Sequence, residues 1–225
     1  MNSRYLLAGA GLVLFIVFAV FALRQLHPMG ALAPAHAPAI KTKGPSNAPV
    51  ELVEYSDFQC PACRSAQEGL KKILQEYPNQ VRLVFRHFPL SGHKWSALAH
   101  QAAECANPSG HFWDFHDRLY AEQPVWSVQA DPTETFLTYA KDSGLNLDSF
   151  AACLTDPSVR NRIEEERARG DSLKVSSTPT FFINGERLVG PAELQTRGEE
   201  MIRRELRLPP KPSPPAAQAA VAKQG

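Results

Sequence analysis

Glu54-Tyr55-Ser56-Asp57-Phe58-Gln59-Cys60-Pro61-Ala62-Cys63 is the stretch that decides the fold, because the chain changes periodicity within it. Val50-Glu51-Leu52-Val53-Glu54-Tyr55 is a short apolar, β-branched run, which predicts a strand. From Pro61 onward Ala66, Leu70, Ile73, Leu74 and Tyr77 fall on one helical stripe, and Pro78 stops the helix. Val81-Arg82-Leu83-Val84-Phe85-Arg86 is the next strand. Strand, helix and strand in this span form a βαβ unit, which requires parallel pairing and a right-handed crossover.

Working outward, residues 93–173 read as helix throughout. Trp95, Leu98, Ala102 and Cys105 share a face; so do Phe112, Phe115 and Leu119, then Phe136 and Ala140, then Phe150, Cys153 and Leu154. Strand patterning returns in Thr180-Phe181-Phe182-Ile183 and Glu186-Arg187-Leu188-Val189. These flank Asn184-Gly185, the strongest two-residue hairpin signal. A last helix is expected from Pro191 to about Leu208. The order β-α-β, helical block, β-β-α makes an α/β protein with one sheet layer, helices over it and an all-helical insertion at about residues 92–173.

The chain has 225 residues and a formal charge of +1, ordinary globular usage that excludes a collagenous or strongly basic nucleic-acid-binding protein. The charge is unevenly placed. Residues 50–208 hold 18 bases against 23 acids, whereas 1–49 and 209–225 hold no acid at all. Tyr5 to Leu23 is an uncharged apolar run of 19 residues between Arg4 and Arg24, long enough for a bilayer and longer than most signal-peptide cores. Residues 1–24 are therefore expected to be an N-terminal membrane anchor, in preference to a signal cleaved near Ala31-Leu32-Ala33 or Ala35-His36-Ala37. Residues 25–49, rich in Pro and Ala, read as an extended tether, and 209–225, with five prolines, as a disordered tail. The folded domain is expected at 50–208.

Cys60-Pro61-Ala62-Cys63 carries the chemistry. Two thiols separated by two residues at a helix start can close a disulfide across the first turn. The first lies where unpaired amides and the helix dipole favour a thiolate, the species that attacks in disulfide exchange. The second, one turn deeper, would resolve a mixed disulfide. A zinc site would need two further ligands at short spacing, and Cys105, Cys153, His87, His93, His100, His111 and His116 are remote in sequence. An inert structural disulfide is the other alternative, disfavoured by the helix-start placement. No metal and no organic cofactor is expected, since the dithiol is itself the redox group. His93 and His100 are seven apart and share a helical face, and the Arg162–Arg169 charge run reads as a solvated helix face. Trp95 and Trp113 read as core.

The segment Glu54–Cys63 resembles the active-site segment of DsbA-type thiol–disulfide oxidoreductases. Supporting segments are Val84-Phe85-Arg86-His87-Phe88-Pro89, Phe112-Trp113-Asp114-Phe115-His116-Asp117 and Ser177-Thr178-Pro179-Thr180-Phe181-Phe182-Ile183-Asn184-Gly185. The resemblance runs from about Gly44 to Leu208. It implies a thioredoxin-like fold with a helical insertion, and it identifies Thr178-Pro179 with the cis-proline loop that faces the CxxC and binds extended substrate. An ordinary strand-entry proline is the plain alternative. Glu54, six residues before Cys60, matches the family's buried acid, which could take the proton of Cys63; a solvated edge carboxylate is its alternative. Some family members carry a second disulfide in the insertion, and a spare cysteine pair in an exported domain is more often bridged, so Cys105 and Cys153 are expected to pair rather than remain two buried thiols.

Together these readings give a membrane-tethered, extracytoplasmic protein-disulfide oxidoreductase, preferred as an oxidase over a reductase or isomerase. Its partners would be exported proteins with cysteines, a membrane or soluble redox partner, and the membrane through residues 5–23, but no nucleic acid. Pro61-Ala62 lacks the histidine that assists thiolate formation in strong oxidants of the family. A non-catalytic thioredoxin-like binding or chaperone module is the rival from another class.

Overall fold

A computed structural model describes residues 41–210. The apolar run 5–23, the rest of 1–40, and the tail from 211 onward lie outside the described residues. Among the described residues no helix is long and apolar enough to cross a membrane.

A five-stranded sheet is the frame, in the spatial order β1-β3-β2-β4-β5. It comprises β1 (Thr42–Lys43), β2 (Val50–Ser56), β3 (Val81–His87), β4 (Thr180–Ile183) and β5 (Glu186–Val189). β2 and β3 are parallel, with Leu52 opposite Leu83 and Glu54 opposite Phe85, and helix α1 (Pro61–Glu76) makes the crossover. β4 lies antiparallel to β2, with Glu54 opposite Phe181, and β5 returns antiparallel to β4. At the hairpin Asn184 and Gly185 take φ values of 45° and 89°, the left-handed turn that Asn-Gly accommodates at least cost. The thioredoxin-like architecture expected from the motifs is present.

The block between β3 and β4 holds α2 (Ser96–Ala106), α3 (Phe112–Ala121), the short α4 (Gln123–Trp126), α5 (Thr133–Asp142), α6 (Leu147–Leu154) and α7 (Pro157–Ser172). Their apolar stripes close on one another and on one end of the sheet: Phe58, Phe85, Phe112, Phe115, Trp126 and Phe136 are all fully buried there. Each such side chain contributes about 1.5–3 kcal/mol by leaving water. A second core lies under α1, where Leu52, Leu70, Leu83, Phe181 and Ile183 meet Met201 and Ile202. Gly170 of α7 lets that helix approach the sheet, since a Cβ there would stand 2.7 Å from the Phe88 ring.

The structure corrects two expectations. The packed domain begins before residue 50: Thr42–Lys43 forms β1 on the edge of β3, and Lys41 is buried between Glu104 at 3.2 Å and Glu166 at 2.8 Å. The tether reading of 25–49 therefore fails from Lys41 onward, because two buried carboxylates supply the partners that a buried ammonium needs. The 162–169 charge run is not wholly solvated, since Glu166 turns inward to Lys41 and to the His87 backbone amide at 2.7 Å. The last helix runs without a break, α8 (Gly190–Glu193) passing through a π-helical turn (Leu194–Gly198) into α9 (Glu199–Glu205).

Cys105 of α2 and Cys153 of α6 are joined by a disulfide that closes a loop of 48 residues. On the chain-entropy account such a loop contributes about 4 kcal/mol. The Cys105→Ser/Cys153→Ser double variant should lose an amount of that order in urea unfolding, with the Cys60/Cys63 chemistry retained.

Candidate active site

Cys60 is the N-cap residue of α1, with Pro61 in the first turn, where a missing N–H removes no intrahelical bond. The Cys60 amide donates to the Asp57 carbonyl, and the Arg64 amide closes the first turn onto the Cys60 carbonyl. Cys60 keeps 8% of its surface exposed and Cys63 none; both are free thiols. The two sulfurs therefore occupy opposite electrostatic settings. Cys60 is held down to about 5, first by the hydrogen bond from the Cys63 thiol; burial opposes this, and the Thr178 hydroxyl and the backbone amides of Cys63 and Ala62 add to it. Cys63 is pushed well above the ordinary thiol range, first by burial and then by giving its proton to Cys60. The helix amides expected to carry the thiolate thus come behind the thiol-to-thiolate bond.

Thr178-Pro179 is a cis peptide bond, and it faces the cysteines. In the thiol form Cys60 Sγ donates to the Thr178 carbonyl at 3.4 Å. That carbonyl, expected to stand open for substrate, is thus engaged in the reduced thiol and is released when Cys60 ionises. The buried Thr178 hydroxyl has no other partner among the described residues.

Glu54 is fully buried behind Cys63. Burial pushes its carboxyl up to about 7, against the hydrogen bonds from Ser56 and Gln67 and the charge of Lys43. Strand alternation explains the group. Leu52, Glu54 and Ser56 alternate to one face of β2, so Ser56 Oγ can donate to Glu54 Oε1 at 2.7 Å. Gln67 of α1 donates to the same oxygen at 3.1 Å, and Tyr120 of α3 lies 2.7 Å from Ser56 Oγ. A cleft of about 780 Å³ lies between α1 and α3, lined by Gln67, Tyr120, Lys43 and Trp113 among others.

Several residues that position the site had no role assigned to them from the sequence. Asp57 is fully buried and takes up four donors: the Gln59 and Leu90 amides, Ser96 Oγ and His93 Nδ1, all at 2.7–2.9 Å. His93 precedes α2 rather than sharing a helical face with His100, and each reaches toward Asp57 from its own element. Gln123 donates to the Phe58 and Cys60 carbonyls at 2.7 and 3.0 Å, and Gln59 accepts from the Trp95 amide. Beneath them His87 and His100 meet through their Nδ1 atoms at 2.6 Å. Both are pushed well below the ordinary imidazole range by burial, so both are neutral and share one proton. His87 gives its Nε2 proton to Glu104 at 3.1 Å, so its Nδ1 must accept from His100, whose Nε2 is left bare. Among the described residues no group of three or more His, Cys, Asp or Glu side chains is arranged to hold a metal ion. Ser56, Asp57 and His87 lay within the quoted segments, but nothing in the sequence gave their partners, which come from elements remote in the chain.

A mixed sheet, a CxxC at a helix start and a cis-proline opposite it define a thioredoxin-like fold. Residues 38–199 match the family model described as Thioredoxin, and the chain belongs to that family. The thioredoxin-like oxidoreductase from Silicibacter pomeroyi superposes with a TM-score of 0.64 at 26% identity, covering 76% of this chain and 95% of that one. BdbD from Bacillus subtilis superposes with a TM-score of 0.66 at 23% identity, over 75% and 94% of the two chains. The Na(+)/H(+) antiporter NhaA 3 of Salinispora tropica is 40% identical over 154 residues, which are 68% of this chain and 23% of that protein. The chain thus spans about a quarter of the length of the curated relatives it matches.

Thiolate absorbance of the reduced protein should titrate with a midpoint near pH 5, and Cys63→Ala should raise that midpoint by removing the largest contribution. The sign for stability follows from a lowered folded-state value. The thiolate stabilises the folded reduced form fully above the ordinary 9.0, and this is lost as pH falls through about 5. Urea midpoints of the reduced protein across that range measure it.

Proposed function

We propose that this protein is an extracytoplasmic protein-disulfide oxidase that passes its Cys60–Cys63 disulfide to exported proteins. The observation that carries the direction is the asymmetry of the two thiols. A Cys60 held down to about 5 favours the reduced enzyme at neutral pH, and whatever favours the reduced form makes the disulfide more oxidising. A substrate thiolate attacks Cys60, forming a mixed disulfide and releasing Cys63 as a thiolate that takes up a proton. A second substrate thiolate then attacks the substrate sulfur of that bond. The substrate disulfide forms, and Cys60 departs as the stabilised thiolate. Two electrons have moved from substrate to enzyme, and a redox partner in the membrane or in solution takes them on. Thr178-Pro179 would align the substrate backbone. Such a cycle runs on the sulfurs alone and asks for no metal or organic cofactor.

The Cys105–Cys153 bond supports a location outside the reducing cytoplasm, and the 19-residue apolar run at 5–23 supports a membrane tether for 1–24. Sodium–proton exchange is not carried over from the antiporter relatives, since the match covers only about a quarter of them.

Equilibrium of the Cys60/Cys63 couple with glutathione should give a potential nearer the strong-oxidant value of about −120 mV than thioredoxin's about −270 mV. A value at the thioredoxin end would make the protein a reductase. Cys60→Ser should abolish oxidation of a reduced, unfolded protein; full activity in that variant would leave only a binding or chaperone role.

A further inference from the structure

The peptide unit between Ser56 and Asp57 sits where β2 leaves the sheet. Its carbonyl accepts from the Phe88 amide at 3.0 Å, on the β3 side. In a trans peptide the N–H points the opposite way, so the Asp57 amide is aimed away from β3. On that side the β2–β4 ladder has already ended, with Tyr55 opposite Thr180. Asp57 is fully buried, and a buried amide without a partner is costly. The partner it has is a sulfur: the Asp57 N–H donates to Cys63 Sγ at 3.4 Å. The Asp57 carbonyl in turn accepts from the Cys60 amide at 3.1 Å. One residue thus touches both cysteines of the couple.

The aim of this amide is fixed from two sides. The Phe88 bond holds the carbonyl end of the peptide plane. The carboxyl holds the other end: Oδ1 accepts from Ser96 Oγ at 2.7 Å and the Gln59 amide at 2.8 Å, and Oδ2 from His93 Nδ1 at 2.7 Å and the Leu90 amide at 2.9 Å. Four donors fill the lone-pair directions of that carboxyl, so it has no alternative arrangement to turn into. A donor held in advance beside the atom where charge develops stabilises that charge without having to reorganise. The 3.4 Å bond is formed with both cysteines free, that is, with the Cys63 sulfur in the position it reaches once the disulfide has opened.

We propose that the Asp57 backbone amide is the catalytic donor that receives Cys63 as the leaving group of disulfide exchange, with the Asp57 carboxyl, His93 and Ser96 as the groups that position it. This rests on the reading of Cys60–Cys63 as the exchanging disulfide. An attacking thiolate brings its electron pair to Cys60 Sγ, the Cys60–Cys63 bond breaks, and the pair of that bond goes to Cys63 Sγ. The attacking sulfur is oxidised and Cys63 is reduced; the amide proton stays on its nitrogen throughout. Cys63 has no exposed surface, so water cannot take the place of the amide, and the full cost of a buried charge falls on the donors already there. In the opposite direction the same N–H holds the Cys63 sulfur where it can attack a mixed disulfide on Cys60.

Two single-turnover reactions at the same sulfur separate this role from a structural one. In the first, an ionised aromatic thiol attacks Cys60 of the oxidised protein and Cys63 leaves. In the second, the same thiol attacks Cys60 in Cys63→Ala, which carries a chromogenic aromatic thiol as a mixed disulfide, and that external thiolate leaves. Replacing Asp57 by its α-hydroxy acid exchanges the amide N–H for an ester oxygen and keeps the carboxyl. It should slow the first reaction about 10-fold, the scale of one hydrogen bond to a charged group, and leave the second unchanged. His93→Ala removes one donor from the carboxyl at a partly exposed position and should slow the first reaction alone, by a smaller factor. His93→Asn, which puts an N–H where Nδ1–H stood, should restore it. If the ester variant forms the mixed disulfide as fast as the unaltered protein, the amide is not the donor. If it slows both reactions alike, Asp57 acts on the shape of the site and the proposal fails. An unchanged first rate in His93→Ala would overturn the positioning role of His93. Unaltered oxidised protein that takes up no thiol at Cys60 would instead sink the exchange reading, and this inference with it.

Discussion

The hydrogen bond from the Cys63 thiol to the Cys60 sulfur joins two residues three apart across the first turn of α1, and the site is arranged around keeping them unequal. Cys60 ends at the start of α1 with some access to solvent and donors converging on it; Cys63 is enclosed. A thiol is a weak donor in water, but in a pocket of low polarity it is the nearest group able to stabilise an anion. The same burial that makes Cys63 a poor thiolate keeps its proton available to Cys60. The amides at the helix start then add to a preference already set by the second sulfur.

That inequality requires the turn before α1 to be immobile. Asp57 fixes it by taking donors from its own turn, from the Leu90 amide after β3, from His93 and from Ser96 in α2. Hydrogen bonds to such a buried carboxyl are worth about 1.5–3 kcal/mol each when charged, and removing the carboxyl would leave the donors without partners. Below it, His100, His87, Glu104, Lys41 and Glu166 continue a polar seam that joins α2, α7 and the residue before β1 to the sheet. The helical insertion is therefore tied to the CxxC turn by directional bonds as well as by its apolar stripes.

Much of the fold was legible in the sequence. The change of period at Glu54–Cys63, the alternation of β2 and β3, and Asn184-Gly185 gave the βαβ unit and the hairpin, because each is a local property of consecutive residues. The CxxC and its place at a helix start were legible for the same reason. Glu54 could be placed on the Leu52 face, and the alternation that put it there also put Ser56 beside it. What alternation could not give was the partner across the gap: Tyr120 lies 64 residues away, on a helix whose apolar stripe said nothing of its hydroxyl.

The sequence by itself determined the elements, the pair of thiols and which of them comes first, since periodicity and spacing are fixed along the chain. Tertiary structure alone decided that Lys41 belongs to the domain, that Asp57 collects donors from three segments, that Cys105 and Cys153 come within bonding distance, and that the Cys63 thiol ranks ahead of the helix amides in holding the Cys60 anion. Those outcomes depend on burial and on distances between residues remote in the chain, and neither exists until the helices have closed over the sheet.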